Sequence, residues 1–220
     1  MKDTIIFDWD GTLHETAALY GAAFRCAYDW LVGEHKAPPR NYSDGEVSIY
    51  LGMSAPDMWE SFMPDLEPEY KKKASRMIGE KMDSLIKNGK ARLYPGCINV
   101  LDRLKQEGYD MVILSNCRHS YIMAHRDFFR LDNWFEDYYA AEDFGFIPKE
   151  DIFSAVREKH AGDIVVVGDR ESDIAVALTH GLKSIGCGYG YGTKGELQGA
   201  DIVISEITEL PAALKKLGFA

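Results

Sequence analysis

Two carboxylates, Asp8 and Asp10, follow the short apolar segment TIIF at residues 4–7. Like charges this close repel each other, so the pair lowers stability unless a cation or a shared proton relieves the repulsion. Gly11 allows a tight turn whose backbone N–H groups can face an anion, and Thr12 adds a hydroxyl. The stretch therefore combines residue types suited to a cation with residue types suited to an anion.

Further polar side chains follow two later apolar segments. Ser115 and Asn116 come after MVIL, Asp169 comes after DIVVVG, and Asp173 lies one helical turn beyond it. In an open parallel sheet, ligands bind beyond the carboxyl ends of the strands, so we expect these groups to share one crevice with Asp8. Oxygen ligands without a suitably spaced His/Cys set favour Mg²⁺ over Zn²⁺.

Strands and helices alternate over most of the chain. Buried parallel strands are predicted at 4–7, 111–115, 163–168 and 201–205, with weaker candidates at 137–141 and 183–188. Helices are predicted at 95–108, 120–131, 150–162, 171–181 and 207–218, the first with Ile98, Leu101 and Leu104 on one face. This alternation predicts an α/β fold, a Rossmann-like parallel sheet with helices on both faces.

Residues 15–90 interrupt that alternation. One helical pattern runs through Leu19, Ala23, Cys26, Ala27, Trp30 and Leu31, a second runs from Tyr70 to Leu85, and Ser54 is placed to cap a shorter helix. Pro38-Pro39 and residues 43–45 are expected to form a loop. We therefore predict an all-helical cap at 15–90, inserted into a catalytic core formed by 1–14 and 91–220.

Composition excludes several classes of protein. The 220 residues are 46% hydrophobic with a net charge of −10, and no basic stripe is present, which argues against a nucleic-acid partner. No apolar run approaches the roughly 20 residues that a membrane helix needs. The four cysteines form no CxxC pair, so free thiols and a cytoplasmic location are expected. The oligomeric state stays open.

Several of these elements together resemble the haloacid dehalogenase (HAD) superfamily. Asp8-Trp-Asp-Gly-Thr-Leu looks like the family's DxDGT(L/V) motif, and it is followed in the family's order by Ser115-Asn116, Lys149 and Gly168-Asp169-Arg-Glu-Ser-Asp173. The segment LYPGCINVLDRLKQEGYDMVILSN is similar to phosphoglycolate-phosphatase-like members. The resemblance spans nearly the whole chain, including a helical cap after the first strand.

This resemblance implies a Mg²⁺-dependent phosphatase that acts on a small phosphomonoester, phosphoglycolate-like or a sugar phosphate. Asp8 would be the nucleophile that forms an aspartyl-phosphate, and Asp10 would be the general acid and then the general base. The metal ligands would be Asp8, the backbone carbonyl of Asp10, Asp169 and Asp173. The phosphoryl group would be held by Gly11, Thr12, Ser115, Asn116 and Lys149, with Ser115 and Lys149 counted among the catalytic residues.

The chain departs from the family pattern in two places. KEDIF at 149–153 replaces the common run KPxPxxF, which weakens the assignment of Lys149, and Arg170 replaces the usual Thr or Ser. Arg170 is expected to reach either substrate or solvent, while Arg118 is a candidate partner for a substrate carboxylate or second phosphate. His14 is expected to be structural, and the loop around Tyr189 and Tyr191 is expected to be flexible with a structural role.

Two other functions remain open from the sequence. A sugar phosphomutase uses the same two aspartates but returns the phosphoryl group to the substrate. A non-enzymatic phospho-acceptor signalling domain also combines acidic residues, a Ser/Thr and a Lys around Mg²⁺ on a parallel sheet. The acid at Asp10 and the inserted cap favour turnover over a long-lived phospho-aspartate.

Overall fold

A six-stranded parallel sheet organises the structure, a computed structural model that describes residues 2–160 and 162–219. The strand order is β3-β2-β1-β4-β5-β6, and every neighbouring pair is parallel. The strands are β1 (Thr4–Phe7), β2 (Asp110–Ser115), β3 (Asp137–Ala140), β4 (Ile164–Gly168), β5 (Lys183–Cys187) and β6 (Ile202–Ile204). The predicted fold class is confirmed, and both weaker candidate strands are present.

The first strand lies in the middle of the sheet because it is apolar on both sides. All four residues of β1 are buried, as expected for a parallel strand covered by helices on both faces. Phe7 is in register with Ile113 of β2 and with Val167 of β4. This register brings the residues just after Phe7 level with the carboxyl ends of β2 and β4.

Helices cover the two faces of the sheet. Ile5 and Phe7 point into one apolar core, and Ile6 points into the other, as the period of two requires. The helices are α1 (Ala17–Gly33), α2 (Asp44–Ser48), α3 (Ala55–Phe62), α4 (Pro68–Lys87), α5 (Cys97–Glu107), α6 (His119–Phe129), α7 (Lys149–Lys159), α8 (Glu171–His180) and α9 (Leu210–Lys216). Helices α7 and α8 supply the smaller core, which contains Ile152, Phe153 and Val176.

Helices α1 to α4 lie between β1 and α5 in the chain. Helix α1 packs against α2 and α4, and α4 also contacts α6, which follows β2. Ser54 caps α3 by accepting a hydrogen bond from the backbone N–H of Asp57 at 3.3 Å. The division into a core at 1–14 and 91–220 and a cap at 15–90 stays a prediction.

Three local predictions were wrong. Residues 43–45 were expected in a loop, but Ser43 and Glu46 form a capping box that starts α2, so Gly45 lies inside a helix. Ile98 is 49% exposed, because the buried face of α5 is formed by Cys97, Leu101 and Leu104. Cys26 is also exposed rather than part of the buried stripe of α1.

No helix within residues 2–160 and 162–219 combines the length and the apolar character that a membrane crossing requires. The predicted cytoplasmic location stays a prediction.

Candidate active site

Three buried carboxylates meet at the carboxyl edge of the sheet. Asp8 follows β1, Asp169 follows β4, and Asp173 lies in the first turn of α8. One carboxylate oxygen from each lies within 4.8 Å of the other two, and none of the three residues is more than 3% exposed. The register of β1 with β4 produces this meeting, because it brings the residues after Phe7 beside those after Val167.

Lys149 faces two of these carboxylates. It is the first residue of α7 and only 2% exposed, and its Nζ donates to Asp8 Oδ1 at 2.7 Å and to Asp173 Oδ1 at 2.6 Å. Burial opposes the charge on Lys149, but Asp173 and Asp8 outweigh it and raise the pKa of the lysine. The missing prolines of the KEDIF segment therefore do not displace this lysine from the carboxylates.

The carboxylates are more numerous than the single ammonium can neutralise. Burial, helped by the charge of Asp173, raises the pKa of Asp8 from 3.8 to about 7 despite the ion pair with Lys149. Burial, followed by the charges of Asp8 and Asp173, also raises the pKa of Asp169 well above its ordinary value. Asp8 Oδ2 is buried without a hydrogen-bond partner among the described residues. An oxygen-only donor set with excess negative charge fits a hard divalent cation.

The loop after β5 and the turn after Asp10 hold Asp169 in place. Thr12 Oγ1 donates to Asp169 Oδ1 at 3.3 Å, and the backbone N–H of Tyr191 donates to Asp169 Oδ2 at 2.6 Å. Gly11 has φ +86°, and a Cβ there would overlap with Asp169 Oδ2. Only glycine permits this approach without displacing the carboxylate.

Asp10 lies in a different setting from the other three aspartates. Its Oδ1 accepts hydrogen bonds from Thr16 Oγ1 at 2.5 Å and Tyr121 Oη at 2.7 Å, and it lies 3.2 Å from His14 Nδ1. Burial alone would raise the pKa of Asp10, but the interactions with His14, Thr16 and Tyr121 outweigh it and lower that pKa. The side chain of Asp10 is outside the group of three carboxylates, so only its backbone carbonyl stays a candidate ligand.

A pair of buried histidines is connected to Asp10 through His14. His14 and His125 are both fully buried, with their Nε2 atoms 3.3 Å apart. His125 Nδ1 donates to the backbone carbonyl of Tyr121 at 3.1 Å, and burial lowers the pKa of His125 to about 3, so its Nε2 is free to accept from His14. The sequence alone assigned His14 only a structural role. The i,i+4 spacing from Asp10 was the available signal, whereas His125 had none.

The remaining predicted residues lie around the edge of the site. Ser115 is buried at the end of β2, and Asn116 Nδ2 donates to the backbone carbonyl of Gly52 at 3.1 Å. Arg170 donates from Nε to Glu196 at 2.7 Å and from Nη1 to the backbone carbonyl of Leu51. Arg170 therefore connects the start of α8 to the loop before α3, and the expectation that it reaches substrate or solvent stays a prediction.

Tyr191 connects the same region to α1. Its hydroxyl oxygen accepts from the backbone N–H groups of Thr16 at 2.7 Å and Ala17 at 2.9 Å, which are free at the start of the helix. Tyr189 donates from its hydroxyl to the backbone carbonyl of Thr12 at 2.8 Å. The loop expected to be flexible is therefore tied to the turn after Asp10 by side-chain hydrogen bonds, and its structural role includes holding Asp169.

Comparison with known proteins assigns this arrangement to a family. The family described as haloacid dehalogenase-like hydrolase matches residues 5–187. The phosphoglycolate phosphatase of Agrobacterium fabrum is 28% identical over 96% of this chain and 92% of its own, and that of Caulobacter vibrioides is 28% identical over 96% and 90%. The chain belongs to the haloacid dehalogenase-like hydrolases.

Solved structures share the fold. A predicted phosphatase from Clostridium acetobutylicum superposes with a TM-score of 0.83 at 21% identity, covering 98% of this chain and 99% of that one. CbbY from Rhodobacter sphaeroides in complex with phosphate has a TM-score of 0.78 at 21% identity, covering 96% of both chains. The predicted family is confirmed, and with it the predicted enzyme class, a HAD-type phosphoric monoester hydrolase.

The raised pKa of Asp8 predicts how stability depends on pH. Between its unfolded value of 3.8 and its folded value of about 7, the folded protein retains a proton that the unfolded chain has lost, so stability falls as pH rises through this window. With divalent cations removed by a chelator, we expect the free energy of unfolding, measured in urea, to fall by at least about 1 kcal/mol from pH 5 to pH 7.

Two variants test this assignment. Asp8→Asn cannot ionise and should make the slope shallower, with Asp169 still contributing to it, whereas Asp127→Asn, which removes an exposed carboxylate on α6, should retain the full slope. An identical slope in wild type and Asp8→Asn would show that Asp8 does not titrate in this range.

Proposed function

We propose that this enzyme is a Mg²⁺-dependent phosphatase that hydrolyses a small-molecule phosphomonoester through an aspartyl-phosphate on Asp8. The observation that supports it best is the buried group formed by Asp8, Asp169, Asp173 and Lys149 at the carboxyl edge of the sheet. A nucleophilic carboxylate needs a free oxygen, and Asp8 Oδ2 has no hydrogen-bond partner among the described residues.

Mg²⁺ would be held by Asp8, Asp169 and Asp173 together with the backbone carbonyl of Asp10, and when bound it supplies positive charge against the phosphoryl oxygens. The need for that charge follows from electrostatics. A carboxylate and a phosphate dianion about 4 Å apart repel by roughly 8 kcal/mol at an effective dielectric near 20. Lys149 contributes a second positive charge next to the same carboxylates.

Asp8 and Asp10 carry out the first chemical step. The free oxygen of Asp8 attacks phosphorus, a new O–P bond forms, and the bond from phosphorus to the leaving alcohol breaks. Asp10 gives its proton to the departing alcohol oxygen. The lowered pKa of Asp10 is that of the site without substrate. The negative charge of a bound phosphate raises the pKa of Asp10 and therefore favours its protonated form.

The second step returns the enzyme to its starting state. Asp10, now a carboxylate, takes a proton from water, and the water oxygen attacks phosphorus while the O–P bond to Asp8 breaks. The hydrogen bonds from Thr16 and Tyr121 hold this carboxylate in position as a base. Backbone groups of Gly11 and the side chains of Thr12, Ser115, Asn116 and Lys149 would hold the phosphoryl oxygens in both steps.

The proposed substrate is a small-molecule phosphate ester. The two relatives compared above are named phosphoglycolate phosphatases, and CbbY, with the same fold, has been solved with phosphate and, as a D10N mutant, with xylulose-1,5-bisphosphate. These names support a small phosphate ester as the substrate. A phosphomutase or a phospho-acceptor signalling domain would use the same Asp8 chemistry, and the products distinguish the three.

Asp8→Asn tests the proposed reaction. With a panel of small phosphate esters, wild-type enzyme should release inorganic phosphate only when Mg²⁺ is present, and Asp8→Asn should lower the rate by at least about a thousandfold because it removes the nucleophile. Mass spectrometry of rapidly quenched wild-type enzyme should show one phosphoryl group on the peptide that contains Asp8. Asp127→Asn is the matched control and should retain full activity.

The alternative products would contradict the proposal. An isomerised sugar phosphate without release of phosphate identifies a mutase. A stable phospho-enzyme without steady turnover identifies a signalling domain.

Tyr121→Phe tests the proposed role of Asp10. Loss of the 2.7 Å hydrogen bond should raise the pKa of Asp10, because a hydrogen bond to a charged group contributes about 1.5–3 kcal/mol to the charged form. Protonated Asp10 then persists to higher pH, and the alkaline limb of the kcat/KM profile should move upward by about one unit. Tyr139→Phe, on the opposite face of the sheet, should leave the limb unchanged. An unchanged limb in Tyr121→Phe would contradict the assignment of Asp10 as the acid.

A further inference from the structure

A cavity of about 120 Å³ lies between the inserted helices and the carboxyl edge of the sheet. Asp10 and Asn116 lie on its sheet side, so it adjoins the proposed reaction centre. Most of the remaining wall is apolar and comes from α1, α3, α4 and the loop before α3: Tyr20, Leu51, Met53, Met58, Ile78 and Met82. Such a wall matches an apolar body better than a set of sugar hydroxyls, which need hydrogen-bond partners.

One positive charge lies in this wall. Arg118 directly precedes α6, and its guanidinium makes no hydrogen bond or ion pair with any residue in 2–160 or 162–219. Helix α4 leaves space for it, since a Cβ on Gly79 would lie 2.9 Å from Arg118 Nη1. A planar guanidinium with free N–H groups matches a carboxylate in both charge and geometry.

Arg118 also lies where the cavity meets a wider cleft of about 420 Å³. The two spaces share Ala55, Ser75, Arg118 and Phe146 in their linings, and the charged residues that also line the outer cleft are Glu60, Lys71, Lys72 and Glu142. The charges of the outer cleft are mixed, but a ligand that reached from Asp10 through the apolar cavity would meet the guanidinium of Arg118 where the two spaces join.

Asp83 on α4 is the competing partner for Arg118. Burial raises the pKa of Asp83, while the nearby charges of Lys87 and Arg118 act in the opposite direction. Asp83 Oδ1 is buried without a hydrogen bond in the described part of the chain, and Asp83 and Arg118 form no ion pair there within 4.0 Å. The guanidinium is therefore attracted by Asp83 but not bound to it, which leaves its N–H groups available.

We propose that the preferred substrates are phosphate monoesters whose leaving alcohol has an apolar body, an aromatic ring or branched alkyl group, and ends in a carboxylate bound by Arg118. This inference rests on the proposed function, because it places the phosphoryl group at Asp8. Phosphoglycolate has only one methylene group to set against the apolar wall, and a sugar phosphate would place its hydroxyls against methionine and isoleucine side chains.

Three benzyl esters of similar size test the apolar body and the terminal carboxylate of the proposed substrate separately. The kcat/KM values of 4-carboxybenzyl phosphate, 4-carbamoylbenzyl phosphate and benzyl phosphate are compared with those of phosphoglycolate and glucose 6-phosphate in Mg²⁺. We expect the carboxylate ester to exceed the amide by about tenfold or more, as one charge-assisted bidentate contact provides. All three benzyl esters should exceed glucose 6-phosphate.

Variants then assign the preference to residues. Arg118→Met should abolish the advantage of the carboxylate ester while leaving benzyl phosphate within about threefold of wild type, which also shows that the variant is folded. Arg118→Lys should restore part of the advantage. Arg126→Met, which removes an arginine of α6 that pairs with Asp132 at the surface, is the matched control. Asp83→Asn should maintain or increase the preference, because it removes the competing carboxylate.

Different failures have different meanings. Equal rates for the carboxylate and amide esters, a faster reaction with phosphoglycolate or glucose 6-phosphate, or an equal loss on all esters in Arg118→Met would overturn the substrate class while phosphatase activity stands. Absence of Mg²⁺-dependent phosphate release from every ester, with no effect of Asp8→Asn, would overturn the proposed function itself.

Discussion

The mutual repulsion of three buried carboxylates is the constraint on which the rest of the site depends. Oxygens of Asp8, Asp169 and Asp173 lie within 4.8 Å of one another, and each ionised pair repels by at least about 3 kcal/mol at an effective dielectric near 20. Lys149 compensates only part of this charge. The sheet register, the glycine at position 11 and the hydrogen bond from Tyr191 hold the group together against that repulsion. A divalent cation bound there would convert the repulsion into binding energy.

The two aspartates of the first motif are the same residue type but have different surroundings, and their pKa values differ for that reason. Asp8 lies among carboxylates in a dry setting that raises its pKa, whereas hydrogen bonds from Thr16, Tyr121 and His14 lower the pKa of Asp10. Groups whose pKa values are moved apart in this way are suited to different chemical roles, one as nucleophile and the other as acid and base. His125 and the Tyr191 loop support this division from outside the motif, since they fix the turn on which Asp10 lies.

Much of this arrangement can be predicted from the sequence, because it depends on strand order and on the residues at the carboxyl end of each strand. β-branched runs predict the strands, and because ligands bind beyond the carboxyl ends of parallel strands, the sequence also predicts that Asp8 and Asp169 lie close together. The double ion pair of Lys149 and the contact between His14 and His125 join segments more than 100 residues apart, or depend on side-chain directions that no local pattern specifies. The short helix α2 was predicted as a loop because it contains Gly45, which has a low helical propensity, although Ser43 and Glu46 have the residue types and spacing of a capping box.

Magnesium binding measured by titration calorimetry tests the central claim most directly, because it does not depend on finding the substrate. The account predicts that the wild-type protein binds one Mg²⁺ with release of protons at pH 6, since metal binding requires ionised carboxylates. Asp169→Asn should weaken this binding by about tenfold or more, as loss of a direct ligand does, while Asp127→Asn should bind like wild type. Equal Mg²⁺ affinity in wild type and Asp169→Asn, or no binding to either, would contradict the account.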